Sequence, residues 1–215
     1  MNVPVEPSAT VFVVDDDASV RRALERQLRT AGFRVACFES AQDYLDRAPP
    51  AAIGCIVTDV RMPGPSGLDL QDALARTARE LPMVFITGHG DIPTSVRAIK
   101  AGAVNFLAKP FTEREILAAV AEALERSREL DRSRRERDAL RARYETLTPR
   151  EQQVMSLVAA GLLNKVIADR LGTAEQTVKI HRSRVMEKMG AASVADLVRM
   201  SERLGPRARP DGALD

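Results

Sequence analysis

Long apolar runs and cysteines are what this chain has least of. No stretch approaches the roughly 20 consecutive apolar residues of a membrane-spanning helix, and the N-terminus lacks a basic region leading into an apolar one. A secreted or membrane protein is therefore not expected, and the location is read as cytoplasmic. Only two cysteines occur, Cys37 and Cys55. Both fall in segments that read as strands, with another strand expected between them. Reduced core thiols are expected there, not a disulfide. Neither sign of charge dominates: 32 Lys/Arg against 30 Asp/Glu leave +2. That balance hides a division. Residues 1–125 carry 13 Lys/Arg and 17 Asp/Glu, and residues 126–215 carry 19 and 13, so the halves are −4 and +6. An acidic first half suits a cation, and a basic second half suits a polyanion. With 45% hydrophobic and 29% charged residues over 215 positions, the composition is globular and the length allows two domains.

What the sequence does contain is a series of apolar segments that stop at reactive groups. Ile53 to Val57 reads as a strand buried on both faces, and it ends at Thr58-Asp59. The loop that follows, with two prolines and two glycines before Leu68, lets neither helix nor strand continue. Val11 to Val14 runs into Asp15-Asp16-Asp17, Val84 to Ile86 into Thr87-Gly88, and Asn105 to Ala108 into Lys109-Pro110. Between the strands lie helical segments at Ser19–Thr30, from an opening at Ser40 with Asp43 to before Pro49-Pro50, at Gly67–Arg79 and at Ile92–Lys100. Thr112 and Glu115 form a capping box that opens a further helix. Five β-α units with short connections predict a doubly wound parallel sheet with helices on both faces. In a sheet of order 2-1-3-4-5, the ends of strands one and three lie side by side, so Asp15, Asp16 and Asp59 converge in one crevice. Clustered carboxylates repel one another, and Mg²⁺, which takes oxygen ligands, relieves that repulsion. It would also screen Asp59 for attack on phosphorus, with Lys109 neutralising phosphoryl oxygens and Thr87 donating a hydrogen bond to one. Asp17 is expected to cap the first helix, and His89 to lie in an exposed loop.

Residues 10–124 resemble the receiver domain of two-component response regulators, in the subfamily with nitrogen-fixation-type regulators. The matching stretches are Val13-Val-Asp-Asp16, Thr58-Asp-Val-Arg-Met-Pro63, Ile86-Thr-Gly-His-Gly-Asp91 and Ala101 to Pro110. The resemblance implies a flavodoxin-like (βα)5 fold in which Asp59 accepts a phosphoryl group from a sensor histidine kinase. It implies that Asp16, Asp59 and the Arg61 carbonyl hold Mg²⁺, with Asp15 binding through water. Thr87 and Phe106 would form a switch pair, altering the face made by the helix at 91–102 and strand five, where such domains dimerise. The same acids have a second reading, as an aspartyl-phosphate phosphatase or phosphotransferase. Such hydrolases place another acid two residues after the nucleophile, and here that position is Arg61. A turnover enzyme is not expected.

From 125 to 146 charge replaces the apolar stripe. Opposite charges fall four apart in Glu122/Arg126, Asp131/Arg135, Arg132/Glu136 and Arg134/Asp138, which supports a solvated helical linker. Residues 147–205 read as four helices, and flexible tails are expected at the two ends of the chain, 1–9 and 206–215. Thr148-Pro149-Arg150-Glu151 opens the first, Asn164–Leu171 is the second, Thr173 and Gln176 cap the third, and Ser193 with Asp196 opens the fourth. A short helix, a Gly-containing turn and a longer helix make a helix-turn-helix unit. On its longer helix Val178, Val185 and Met189 share one side. Gln176, Lys179, Ile180, Ser183, Arg184 and Glu187 share the other, a face suited to the major groove.

Leu147-Thr-Pro-Arg-Glu151, Gly161-Leu-Leu-Asn-Lys165, Ile167 to Gly172 and Thr177 to Arg182 resemble the LuxR-type DNA-binding domain. The DNA-binding set expected is Asn164, Lys165, Thr177, Lys179, Ile180, His181, Ser183 and Arg184, with Asn164 on a phosphate. Val166 and Leu163 depart from the usual polar residues of that pattern. The whole reads as a transcriptional activator switched at Asp59, dimeric when phosphorylated, acting on promoter DNA and RNA polymerase. A regulator that works without phosphorylation is the remaining alternative.

Overall fold

Parallel strands need crossovers, and the sequence supplies one amphipathic helix for each. The computed structural model describes residues 9–49, 53–77, 81–88 and 92–205. The strands are β1 (Thr10–Val14), β2 (Arg34–Phe38), β3 (Gly54–Asp59), β4 (Met83–Thr87) and β5 (Asn105–Ala108). They form one parallel sheet of order β2-β1-β3-β4-β5. Helices α1 (Ala18–Thr30), α2 (Ala41–Arg47), α3 (Gly67–Ala75) and α4 (Ile92–Lys100) make the crossovers. The sheet is covered on both faces, which is why its central strands read as unbroken apolar runs. Val11, Val13, Val57 and Ile86 pack with Leu24 and Leu28 of α1. Phe12, Ile56 and Phe85 pack on the other face with Tyr44 of α2 and Leu70 and Leu74 of α3. Each fully buried leucine or phenylalanine contributes about 1.5–3 kcal/mol. Cys37 and Cys55 are free thiols on β2 and β3, with β1 between them.

Register brings the acids together. Val14 pairs with Thr58, so Asp15 and Asp59 leave adjacent strands at the same level. Asp17 caps α1, accepting from the backbone N–H of Ser19 at 2.7 Å. Helix α3 stops at Ala75, short of the expected Arg79. The Arg76 N–H turns back to Ala73 and Leu74, and the Thr77 hydroxyl also bonds the Leu74 carbonyl, closing the last turn. His89 and both expected tails, apart from Ala9, lie outside the described residues.

The helix that Thr112 and Glu115 cap, α5, is continuous from Glu113 to Glu145. The chain divides into two units, Met1–Asp131 and Arg132–Asp215. In the first, Ser127 is buried and its hydroxyl accepts the Gly54 N–H at 3.0 Å, tying α5 to the start of β3. Two expected linker pairs form differently. Arg126 bonds Glu129 while Glu122 accepts from Asn105. Glu136 pairs with Arg203, so a tertiary partner has replaced a local one.

The second unit holds α6 (Pro149–Ala159), α7 (Asn164–Leu171), α8 (Glu175–Met189) and α9 (Val194–Leu204). Val154, Met155, Ile167, Val178, Val185, Met189 and Leu197 form its core. The Thr148/Glu151 capping box is present. Helix α8 departs from expectation: its N-cap is Ala174, with no side-chain cap bond, so Thr173 and Gln176 do not cap it. Gly172 ends α7 in the left-handed region at φ 59°, and the Thr173 N–H is spent on the Ala168 carbonyl. The turn therefore moves the start of α8 to Glu175.

Candidate functional site

Three carboxylates meet at the carboxyl ends of β1 and β3. Ligand atoms of Asp15, Asp16 and Asp59 all lie within 4.8 Å of one another, and this is the only such acid, cysteine or histidine group among the described residues. Asp15 is fully buried, Asp59 is 9% exposed and Asp16 faces solvent. Lys109, from the end of β5, reaches between them, donating to Asp59 Oδ2 at 2.6 Å and to Asp15 Oδ2 at 2.9 Å. The remaining Asp59 oxygen accepts the Arg61 N–H at 3.0 Å. Asp15 Oδ1 accepts the Asp17 N–H at 2.8 Å, and its carbonyl accepts from Arg21 at 2.5 Å.

One lysine does not satisfy two acids. Burial pushes the Asp15 carboxyl above its ordinary range, and the Lys109 and Asp17 hydrogen bonds only partly offset that. Burial also works against the Lys109 ammonium, but the bonds and charge of Asp59 and Asp15 outweigh it, and the lysine is held above its usual value. An oxygen-only donor set with one acid open to solvent fits a hard divalent cation that keeps some of its waters.

The walls of this site are set by packing. A Cβ at Gly67 would come within 2.3 Å of the Asp59 carbonyl oxygen, so only glycine lets the start of α3 seat against the strand end. Thr87, at the end of β4, is 1% exposed. Phe85 pairs with Phe106 in the β4–β5 register, their rings 6.3 Å apart. Alternation then places Thr87 on the same sheet face as Phe106. The Lys109-Pro110 bond is cis.

In the second unit, Val178, Val185 and Met189 are fully buried, while Gln176, Lys179, Ile180, Ser183, Arg184 and Glu187 are exposed, as the helical angles predict. Thr177 is half-buried, Lys165 is exposed, and Asn164 begins α7. His181 is half-buried, and its Nδ1 has no hydrogen-bond partner. Leu163 and Val166, the two departures from the usual pattern, are exposed apolar side chains. Sequence reasoning missed Arg21 and Gly67 at the first site, and Arg182 and Lys188 in the second unit. Gly67 had a signal, a glycine directly behind an N-cap serine in the loop after the acid. Arg182 lay inside a matching motif, but nothing in the motif says which way its side chain turns.

A doubly wound sheet with an acid cluster facing a lysine, joined to a helix-turn-helix unit, defines the class: a switch domain coupled to a DNA-binding domain. Comparison with known proteins makes it specific. Residues 11–121 match the response regulator receiver domain, and residues 145–201 match the bacterial regulatory proteins of the luxR family. Nodulation protein W of Bradyrhizobium diazoefficiens is 54% identical over 92% of this chain and 87% of its own length. The response regulator TmoT of Ectopseudomonas mendocina is 46% identical over 93% and 90%. Among solved structures, the response regulator StyR is 48% identical with a TM-score of 0.76, covering 91% of this chain and 99% of that one. Full-length FixJ from B. japonicum is 40% identical with a TM-score of 0.55, covering 91% and 97%. The chain belongs to the two-component response regulators that carry a LuxR-type helix-turn-helix, and it is a DNA-binding transcriptional regulator. Among the described residues no helix is long and apolar enough to cross a membrane.

Proposed function

We propose that Asp59 is the phosphoacceptor of this regulator and that α8 reads promoter DNA. An Asp59 carboxylate oxygen forms the new P–O bond as the P–N bond to the histidine of a sensor kinase breaks, and the imidazole nitrogen takes the electron pair. Asp16, Asp59 and the Arg61 carbonyl would hold Mg²⁺, with Asp15 binding through water. The ion, when bound, supplies positive charge that lets carboxylates and phosphoryl oxygens share one crevice. Lys109 turns from the two acids to the phosphoryl oxygens, and Thr87 donates to another. Phe106 follows Thr87, remodelling the α4–β5 face through which the receiver dimerises. Two helix-turn-helix units are then paired on a repeated site.

In this reading the receiver spans 10–124 and residues 125–146 are the linker. Asn164, Lys165, Thr177, Lys179, Ile180, His181, Ser183 and Arg184 are the DNA-facing set. The protein is a cytoplasmic activator acting with RNA polymerase. It loses its phosphoryl group slowly and does not turn over external substrates. The observation that carries the reading is the Lys109 bridge between two acids on neighbouring strands, beside a third that is open to solvent. The test is Mg²⁺-dependent labelling with acetyl phosphate, read by intact mass. Wild type should gain one phosphoryl group and Asp59→Asn none. Promoter activation that stays kinase-dependent in Asp59→Asn would remove the mechanism.

A further inference from the structure

Asn164 begins α7 and Arg182 projects from α8, so the two helices of the DNA-binding motif meet through these side chains. Arg182 Nη1 donates to Asn164 Oδ1 at 3.0 Å. Both residues are half-buried, at the edge of the exposed face that carries Lys179, Ser183 and Arg184. A carboxamide has one acceptor end and one donor end. A guanidinium offers only donors, so the turned-over amide would set N–H against N–H. Arg182 therefore fixes the amide with its oxygen inward. The amide NH₂ donates no hydrogen bond among the described residues.

We propose that Arg182 is a positioning residue for DNA binding: it holds the Asn164 amide so that an N–H, not a carbonyl oxygen, faces the DNA phosphate. The inference rests on the reading that Asn164 contacts a phosphate. A phosphate oxygen accepts and never donates, so the wrong amide orientation replaces a hydrogen bond with repulsion. The guanidinium also keeps α7 and α8 in fixed register at the point where both approach the backbone. Lys at 182 keeps a donor but loses the planar fork, so it should preserve the orientation with less rigidity.

The test uses the full chain and a fluorescein-labelled duplex of arbitrary sequence, since a phosphate contact is independent of sequence. Affinity is read by anisotropy, and folding is checked by thermal melting. Asn164→Ala and Arg182→Ala should each weaken binding by about tenfold, the scale of one charge-assisted hydrogen bond. The double variant should be no weaker than either single one. Arg182→Lys should recover most of the loss. Asn164→Asp, which still bonds Arg182 but turns an anionic oxygen outward, should bind more weakly than Asn164→Ala. If the two alanine losses multiply, Arg182 acts on DNA by itself and the positioning role is wrong, while the phosphate reading of Asn164 stands. If Asn164→Ala binds like wild type, both are wrong.

Discussion

Asp15 in the first unit and Glu151 in the second are each buried and bonded to a lysine, and the two acids are perturbed in opposite directions. In the receiver, Asp15 is completely buried and bonded to Lys109, yet burial wins and its carboxyl lies above the ordinary value of 3.8. In the DNA-binding unit, the Glu151 side chain is 3% exposed and 2.6 Å from Lys188, but burial weighs less on it than its hydrogen bonds do. Its carboxyl lies below 4.5, held there by Lys188 first and then by the Thr148 N–H. The difference is in what surrounds the pair. Glu151 belongs to a capping box, and its lysine, which also donates to the Thr146 carbonyl, bonds no second acid. Asp15 shares its lysine with Asp59, and the cost of burying its charge outweighs its hydrogen bonds, with the Asp59 charge adding the smallest part. One acid is satisfied and structural. The other is left short of positive charge, which suits the cation and phosphoryl group proposed for this site.

Removing each acid should therefore give opposite results, and the larger is in the second unit. Glu151→Ala removes one half of the capping box and the acid partner of Lys188, which keeps the Thr146 carbonyl, a loss of about 1–2 kcal/mol. Glu151→Gln should lose less, because an amide oxygen still accepts the Thr148 N–H. The chain has two tyrosines, and they fall in different units, Tyr44 and Tyr144. Urea unfolding followed by tyrosine fluorescence in Tyr44→Phe or Tyr144→Phe backgrounds therefore reads one unit at a time. An unchanged second-unit midpoint in Glu151→Ala would refute the structural reading of that pair.

The counterpart is Asp15→Asn. Without metal it should leave receiver stability unchanged or raise it by up to about 1 kcal/mol, since it removes the cost of burying a charge and Lys109 keeps Asp59. Mg²⁺ should raise the wild-type receiver midpoint and raise it less in Asp15→Asn. A strongly destabilised metal-free Asp15→Asn receiver would mean that the lysine bond, not the cost of burial, dominates.

Acid sharpens the same contrast. Glu151 has a depressed carboxyl, so its stabilising effect is present above its unfolded value and is lost as pH falls through the folded one. Asp15 has a raised carboxyl, so its ionisation costs stability that returns as pH falls toward 3.8. On going from about pH 7 to about pH 4, the metal-free wild-type receiver should lose less stability than Asp15→Asn. The second unit should lose more than Glu151→Gln. Parallel curves for each wild type and its variant would show that neither acid is coupled to folding.

Much of the first site was legible because strand ends in a parallel sheet are fixed by apolar runs and turn residues. Asp15, Asp59, Thr87 and Lys109 each follow such a run, and sheet order alone brings the two acids side by side. The Lys109 bridge was not legible, since a lysine at a strand end can reach a ligand or an acid. The exposed face of α8 followed from helical angle, given Val178, Val185 and Met189 as core. Its start did not, because Thr173 and Gln176 have the spacing of a cap while Gly172 sets the turn one residue earlier. Long-range polar partners were invisible for a general reason. Glu136 with Arg203, and Asn164 with Arg182, join residues that no local periodicity relates.

The smallest effect expected concerns the face where charge is exposed and not buried. Lys179 lies 3.2 Å from Glu175 one turn earlier, with side chains 54% and 47% exposed. Such a pair is worth little in water, so it should open readily when DNA approaches. If Lys179 meets a phosphate, Lys179→Ala should weaken binding evenly across sequences and lower the slope of log affinity against log salt by about one. Glu175→Ala should then tighten binding slightly at low salt, because the lysine no longer has a competing partner, and the gain should fade as salt is added. If Lys179 meets a base edge instead, its loss should relax discrimination at one base pair and leave other sequences nearly unaffected. Titrations of both variants against matched and mismatched duplexes at several salt concentrations separate these outcomes. An affinity gain from Glu175→Ala that survives high salt would show that Glu175 acts by contact and not by occupying the lysine.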